Sequence, residues 1–185
     1  MNKRWIYVVA IALISACQGK GKTEEKIDNS VKSRITVDYT RQMIDTILLS
    51  GTDTAFLVKN KPVKDDMGDK QKDYIVHIYF TNTNWPELTY KNALGADLFL
   101  TGDLDGDQQP ELLLRPEWFS SCWASINLFS LKGNMWHPVK SGNMYFCADK
   151  YPLAKRIIKT EKGYGLLTDS LTHDKFITIK KEIKF

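Results

Sequence analysis

From residue 34 onward the chain is a succession of short apolar or alternating runs, each four to eight or so residues long and separated by turn residues. The runs are "RITVDY", "TAFLVK", "DYIVHIYF", "ADLFLTG", "PELLLR", "ASINLFSL", "MWHPV", "KRIIKT", "YGLLT" and "KFITIKKEIKF". They are rich in Val, Ile, Phe and Tyr, whose branched or flat side chains suit a pleated, half-buried surface. Apolar residues at helical spacing are scarce, so the pattern excludes a helical bundle and predicts one mainly β domain over 34–185, antiparallel and either propeller-like or a sandwich.

Two hairpins follow from turn chemistry. "INLFSLKGNMWHPV" should turn at Lys132, Gly133 and Asn134, and "RIIKTEKGYGLLTDS" at Glu161, Lys162 and Gly163, since each short loop holds a glycine able to take positive φ. One stretch fits two descriptions. Met43, Ile44, Ile47 and Leu48 also lie on one face of a two-turn helix ended by Gly51. Residues 59–73, "KNKPVKDDMGDKQKD", are charged and low in apolar content, as expected of an exposed loop.

The first residues are not part of that domain. "MNKRWIYVVAIALISAC" carries Lys3 and Arg4 and then an uncharged apolar stretch from Trp5 to Ala16. This is the grammar of an export signal, and the stretch is shorter than the roughly 18 to 20 residues a stable spanning helix needs. Ile14, Ser15, Ala16 and Cys17 resemble the lipobox of bacterial lipoproteins. The resemblance implies removal of residues 1–16, acylation of Cys17 with palmitate among the chains, and attachment to the membrane of the cell envelope. Gln18 follows the cysteine where an inner-membrane retention aspartate often stands in that family, which points to the outer membrane. Residues 17–33 are rich in Gly, Lys and Glu with almost nothing to bury. They cannot repay the entropy of being ordered and read as a flexible tether, or as a short exposed helix around "TEEKID".

The formal net charge of the 185-residue chain is +4, and loss of Lys3 and Arg4 with the signal would leave +2. No Lys/Arg cluster is dense enough to neutralise a run of phosphates, so nucleic acid is not an expected partner. In an exported protein the remaining cysteines, Cys122 and Cys147, have two fates. They form a disulfide closing a loop of about 25 residues, worth roughly 3 kcal/mol in the chain-entropy model, or they stay buried as small hydrophobes.

The most chemically loaded segment is "TGDLDGDQQPELLLR". Asp103, Asp105 and Asp107 alternate around Gly106, and Glu111 follows. Alternate positions of an extended turn converge, and two carboxylates about 5 Å apart repel by roughly 3 kcal/mol at an effective dielectric of 20. A hard cation with oxygen ligands reverses that sign, and calcium, with its six to eight flexible oxygen ligands, suits best; Gln109 is spaced to offer a backbone carbonyl. The alternative is a solvated acidic hairpin turn. The segment resembles the calcium loop of FG-GAP and VCBS-type repeats, and more distantly those of dockerins and EF-hands. That resemblance assigns side-chain ligands to Asp103, Asp105, Asp107 and Glu111 and the carbonyl to Gln109, with the loop spanning 103–111. Gln108 stands where the family usually has glycine, and Glu111 where it usually has aspartate. The flanking helices and distal glutamate of an EF-hand are missing. A group of periplasmic lysozyme inhibitors with a propeller-like β fold is similar in carrying an aspartate loop followed by a strand, an aromatic loop and a strand.

Enzyme signatures are not found: there is no GxSxG elbow, no HExxH helix and no glycine-rich phosphate loop. His77, His137 and His173 are isolated, and pairing of Cys122 would remove it as a nucleophile. The aromatic segment "RPEWFSSCW" places Trp118, Phe119 and Trp123 after the acidic loop. They are either rings of the β core or a surface for a protein or glycan partner, presented by the calcium-fixed loop beside them. Three functions are compatible with this reading. The chain is expected to be a lipid-anchored, calcium-stabilised binding or structural module; the alternatives are a lysozyme inhibitor, or a glycan hydrolase using a carboxylate pair such as Asp107 and Glu111.

Overall fold

A computed structural model describes residues 34–62, 74–119, 122–147 and 150–185. The expected signal 1–16, the expected tether 17–33 with Cys17, residues 63–73 of the expected exposed loop, and Ser120 and Ser121 lie outside the described residues. The chain is mainly β, and its strands form three antiparallel sheets, each a meander of neighbours in sequence. No sheet closes into a barrel among the described residues.

The first sheet contains β1 (Gln42–Ser50), β2 (Asp53–Asn60), β3 (Ile75–Phe80) and β4 (Leu88–Lys91). The second contains β5 (Gly95–Gly102), β6 (Glu111–Glu117), β7 (Trp123–Lys132) and β8 (Met135–Tyr145). The third contains β9 (Ile157–Thr160), β10 (Gly163–Thr172) and β11 (Lys175–Glu182), with β10 in the middle. The segment that also fits a helix is β1: eight of its residues pair with β2, from Gln42 opposite Asn60 to Ser50 opposite Asp53, because a hairpin turn at Gly51 offers it a ready ladder. Two expectations are corrected. "RITVDY" is not a strand but turns, with Asp38 accepting from the backbone of Thr40 and its carbonyl from Arg41 and Gln42. Lys59 and Asn60, assigned above to an exposed loop, are the last residues of β2.

The second sheet lies between the other two, and β6 shows why. Leu112, Leu113 and Leu114 are all fully buried. Consecutive strand residues point to opposite faces, so an unbroken apolar run requires cover on both. Leu112 and Leu114 share a core with Leu57, Val76, Ile78 and Phe80 of the first sheet. Leu113 joins Ile126, Leu128, Met144 and, from the third sheet, Leu166. Each leucine so buried stabilises the fold by roughly 2 kcal/mol. The second and third sheets approach closely where β8 crosses β10, because a Cβ at Gly142 would collide with Thr168. The same contact carries a hydrogen bond from the Tyr145 N–H to Asp169 Oδ2 at 2.9 Å.

The turns are set by local chemistry. Gly133 and Asn134 take φ of 55° and 60°, the two left-handed residues of a type I′ hairpin between β7 and β8. The β10–β11 hairpin turns in the same way on His173 and Asp174, at φ of 48° and 57°. Having no glycine, that turn carried no signal in the sequence. Cys122 and Cys147 form a disulfide that ties the entry of β7 to the exit of β8.

Candidate functional site

The acidic segment is the connection from β5 to β6, and its carboxylates organise it before any ligand is considered. Asp103 Oδ1 accepts from the Gly106 N–H at 2.6 Å and Oδ2 from the Gln108 N–H at 3.0 Å. Asp105 Oδ1 accepts from Asp107 N–H at 3.1 Å, and Asp107 Oδ1 from Gln109 N–H at 2.8 Å. Each aspartate thus holds the turn two to five residues ahead of itself, the usual use of a short acidic side chain in a loop. The result is a tight coil in which one carboxylate oxygen from each of Asp103, Asp105 and Asp107 lies within 4.8 Å of the others. Gly106 and Gln108 both take positive φ, 86° and 68°. Gln108 occupies the position where the resembled loops carry glycine, and as a non-glycine residue it holds that conformation at a cost of about 1–2 kcal/mol.

Two ties fasten this coil to the core. Leu104 packs against the cluster between the second and third sheets. Glu111, the first residue of β6, is fully buried; its Oε2 accepts from the Leu104 N–H at 2.6 Å, while Oε1 has no hydrogen-bond partner. Burial pushes the Glu111 carboxyl up to about 7, helped by the charges of Asp105 and Asp107 and against the downward pull of the Leu104 N–H and the Ser130 hydroxyl. Asp105 has the opposite balance. Its side chain is only 6% exposed, which alone would raise its pKa, but Lys132 Nζ at 3.0 Å, the Asp107 N–H and the Ser130 hydroxyl outweigh burial and hold it below the ordinary carboxylate value. Lys132 is therefore the protein's own counter-charge to the loop, and its side chain is half exposed.

Gln109 is present in the coil through its N–H bond to Asp107. The donor set is all oxygen and mostly anionic, which suits a hard cation such as calcium and not a thiolate- or imidazole-binding metal.

Trp118, Phe119 and Trp123 line one pocket of about 810 Å³, at the opposite end of β6 from the acidic coil. Glu111 and Glu117 are six steps apart along that strand, roughly 20 Å at about 3.3 Å per residue. The expectation that the acidic loop presents the aromatic segment beside it is thus corrected: neighbours in sequence, they are held apart by a full strand. Nor is Trp118 a core ring, being 45% exposed. It packs edge-to-face on Phe119 and Tyr74, with centroids 5.3 and 6.0 Å away. Trp123 belongs to a second group with Tyr145 and Phe176, at 5.2 and 5.9 Å. The disulfide stands between these groups, Cys122 directly before Trp123 and Cys147 directly after Phe146, and the Phe146 N–H donates to the Cys122 carbonyl at 2.9 Å.

Sequence reasoning missed Lys59, Arg115, Glu117 and Phe146, which share this pocket. Arg115 pairs with Asp97 and lies 4.6 Å above the Phe146 ring, and Lys59 pairs with Asp45. Lys59 comes from the first sheet, Arg115 and Glu117 from β6 of the second, and Phe146 from the turn after β8, so no local pattern could have joined them. Among the histidines, His77 faces Glu87 at the surface and His137 contacts the Lys132 carbonyl; among the described residues neither joins a group of three metal-ligating side chains. Compared with known proteins, the chain matches no family model, no curated protein and no solved structure.

Proposed function

We propose that the chain is a lipid-anchored cell-envelope protein whose β-rich domain serves binding and is braced by one calcium ion in the coil Asp103–Glu111. Asp103, Asp105, Asp107 and Glu111 would supply carboxylate oxygens and Gln109 its carbonyl. The observation that carries this reading is Glu111: a fully buried carboxylate with Oε1 unpartnered, at the root of a coil where three more carboxylates converge. An orphan buried acceptor of this kind costs about 1–3 kcal/mol or more, and a divalent cation would satisfy it while cancelling the repulsion among its neighbours. Membrane attachment is supported by the lipobox resemblance at Ile14–Cys17 and by the uncharged stretch before it.

The role assigned to the ion is structural, since the coil joins two strands of the central sheet and anchors through Leu104 and Glu111 in the core. The test is thermal unfolding in EDTA and in millimolar calcium. Binding to the folded state alone raises the melting temperature as calcium exceeds its dissociation constant, by about 2.7 kcal/mol of stability at a hundredfold excess. An unchanged melting temperature would remove the metal from this account.

A further inference from the structure

We infer that the pocket at the far end of β6 is a binding site for an uncharged saccharide. The inference rests on the reading of the domain as a binding module, and it supplies the ligand class that reading leaves open.

The walls come first. At about 810 Å³ the pocket falls in the range of small-molecule sites. Its rings are not loose. Trp118 and Phe119 are locked edge-to-face with each other and with Tyr74, and Trp123 is held against Tyr145 and Phe176. Phe146 is covered by the Arg115 guanidinium. Rings already fixed by other rings lose little freedom when a ligand lands on them, so their contact area converts efficiently into affinity. Half of Trp118 nonetheless remains open to solvent, inside a concave surface.

The charges narrow the ligand. Arg115 is matched by Asp97 and Lys59 by Asp45, while Glu117 Oε2 and Lys59 Nζ both crowd the space where a Cβ at Gly95 would lie. Each cation of the pocket has an acidic neighbour. Among the described residues the two cations stand against three carboxylates, so no positive charge is left over to hold a phosphate or carboxylate, and the third carboxylate, Glu117, lies beside Lys59 Nζ and is not alone to hold an amine. A purely aliphatic ligand would strip water from these polar groups and return nothing. What remains is a neutral molecule with apolar faces for the rings and many hydroxyls to donate to Glu117 and accept from Arg115 and Lys59. Sugar rings have that construction: their C–H faces stack on aromatic side chains while equatorial hydroxyls reach fixed polar groups at the edge. A protein partner would need about 800 Å² of matching surface per side, and a concave pocket is a poor provider of it.

The experiment applies the full chain, in detergent with calcium and again with EDTA, to an array of neutral and anionic oligosaccharides, followed by titration of the best binder monitored by tryptophan fluorescence. Saturable binding restricted to neutral oligosaccharides, weakened at least about tenfold by Trp118→Ala at unchanged melting temperature, is the expected result. Arg115→Met, which keeps the stem and removes the hydrogen-bond donors, should weaken the same ligand. Binding to anionic oligosaccharides alone, to none, or unaffected by both substitutions overturns the inference. The two proposals fail separately, because the ion site and the pocket are a strand apart. Saccharide binding without a calcium shift in melting temperature removes only the metal; a calcium shift without saccharide binding removes only this site.

Discussion

Arg156 Nη2 lies 2.8 Å from Asp169 Oδ2, and the arginine side chain is wholly buried. The pair joins the segment before β9 to the middle of β10, and Asp169 extends it by accepting from Tyr145 N–H in the neighbouring sheet and from the Thr178 hydroxyl in β11. Burial alone would raise the Asp169 pKa, but these partners, Arg156 foremost, outweigh it and hold the carboxyl below its ordinary value of 3.8. A depressed carboxyl contributes stability that is fully present above the unfolded value and lost as pH falls through the folded one. Asp169→Ala, which strands a buried guanidinium, should cost about 3–5 kcal/mol in denaturant unfolding. Asp169→Asn should flatten the acid limb of the stability profile below about pH 4.

Glu111 titrates in the other sense. Its folded value of about 7 stands above the ordinary 4.5, so the folded protein binds the extra proton and, in EDTA, stability should fall as pH rises from about 4.5 to 7. The expected span is about 3 kcal/mol, at roughly 1.4 kcal/mol per unit. Glu111→Gln should remove that slope, making the variant more stable than the parent in EDTA at pH 8 and less stable in calcium. Urea melts across pH with and without calcium give all four arms, and a parent profile that is flat in EDTA would contradict the assignment.

Close approach of the second and third sheets depends on Gly142. Alanine there would collide with Thr168, which is 1% exposed and has nowhere to go. Overpacking of this kind costs about 1–3 kcal/mol. Thr168→Ser, which removes the colliding methyl, should return part of that loss, seen as a favourable coupling in a double-mutant cycle by chemical denaturation.

Reduction of Cys122–Cys147, separated by 25 positions, should lower stability by roughly 3 kcal/mol through the freed denatured chain. Because Trp123 and Phe146 flank the two cysteines, the Cys122→Ser, Cys147→Ser variant should also change tryptophan emission in the native state.

The sequence by itself determined what is local. Runs rich in branched and aromatic residues specify strands, Gly133 and Asn134 specify a hairpin, and alternation brings Asp103, Asp105 and Asp107 to one centre, since each of these depends on residues within a few positions of one another. Even "ELLLR" hinted at its place, an unbroken apolar run being affordable only to a strand covered on both faces. Where propensity was even, at Met43–Leu48, pairing with β2 chose the strand. Tertiary structure alone decided the rest. It buried Glu111 and left one oxygen without a partner, set Arg156 against Asp169, and carried Lys59 from the first sheet to the aromatic rings of the second. It also parted the acidic coil from Trp118, which sit close in the chain and a strand's length apart in space. These outcomes turn on how three sheets stack, and the contacts that settle stacking join residues far apart in the chain, beyond the reach of any local pattern.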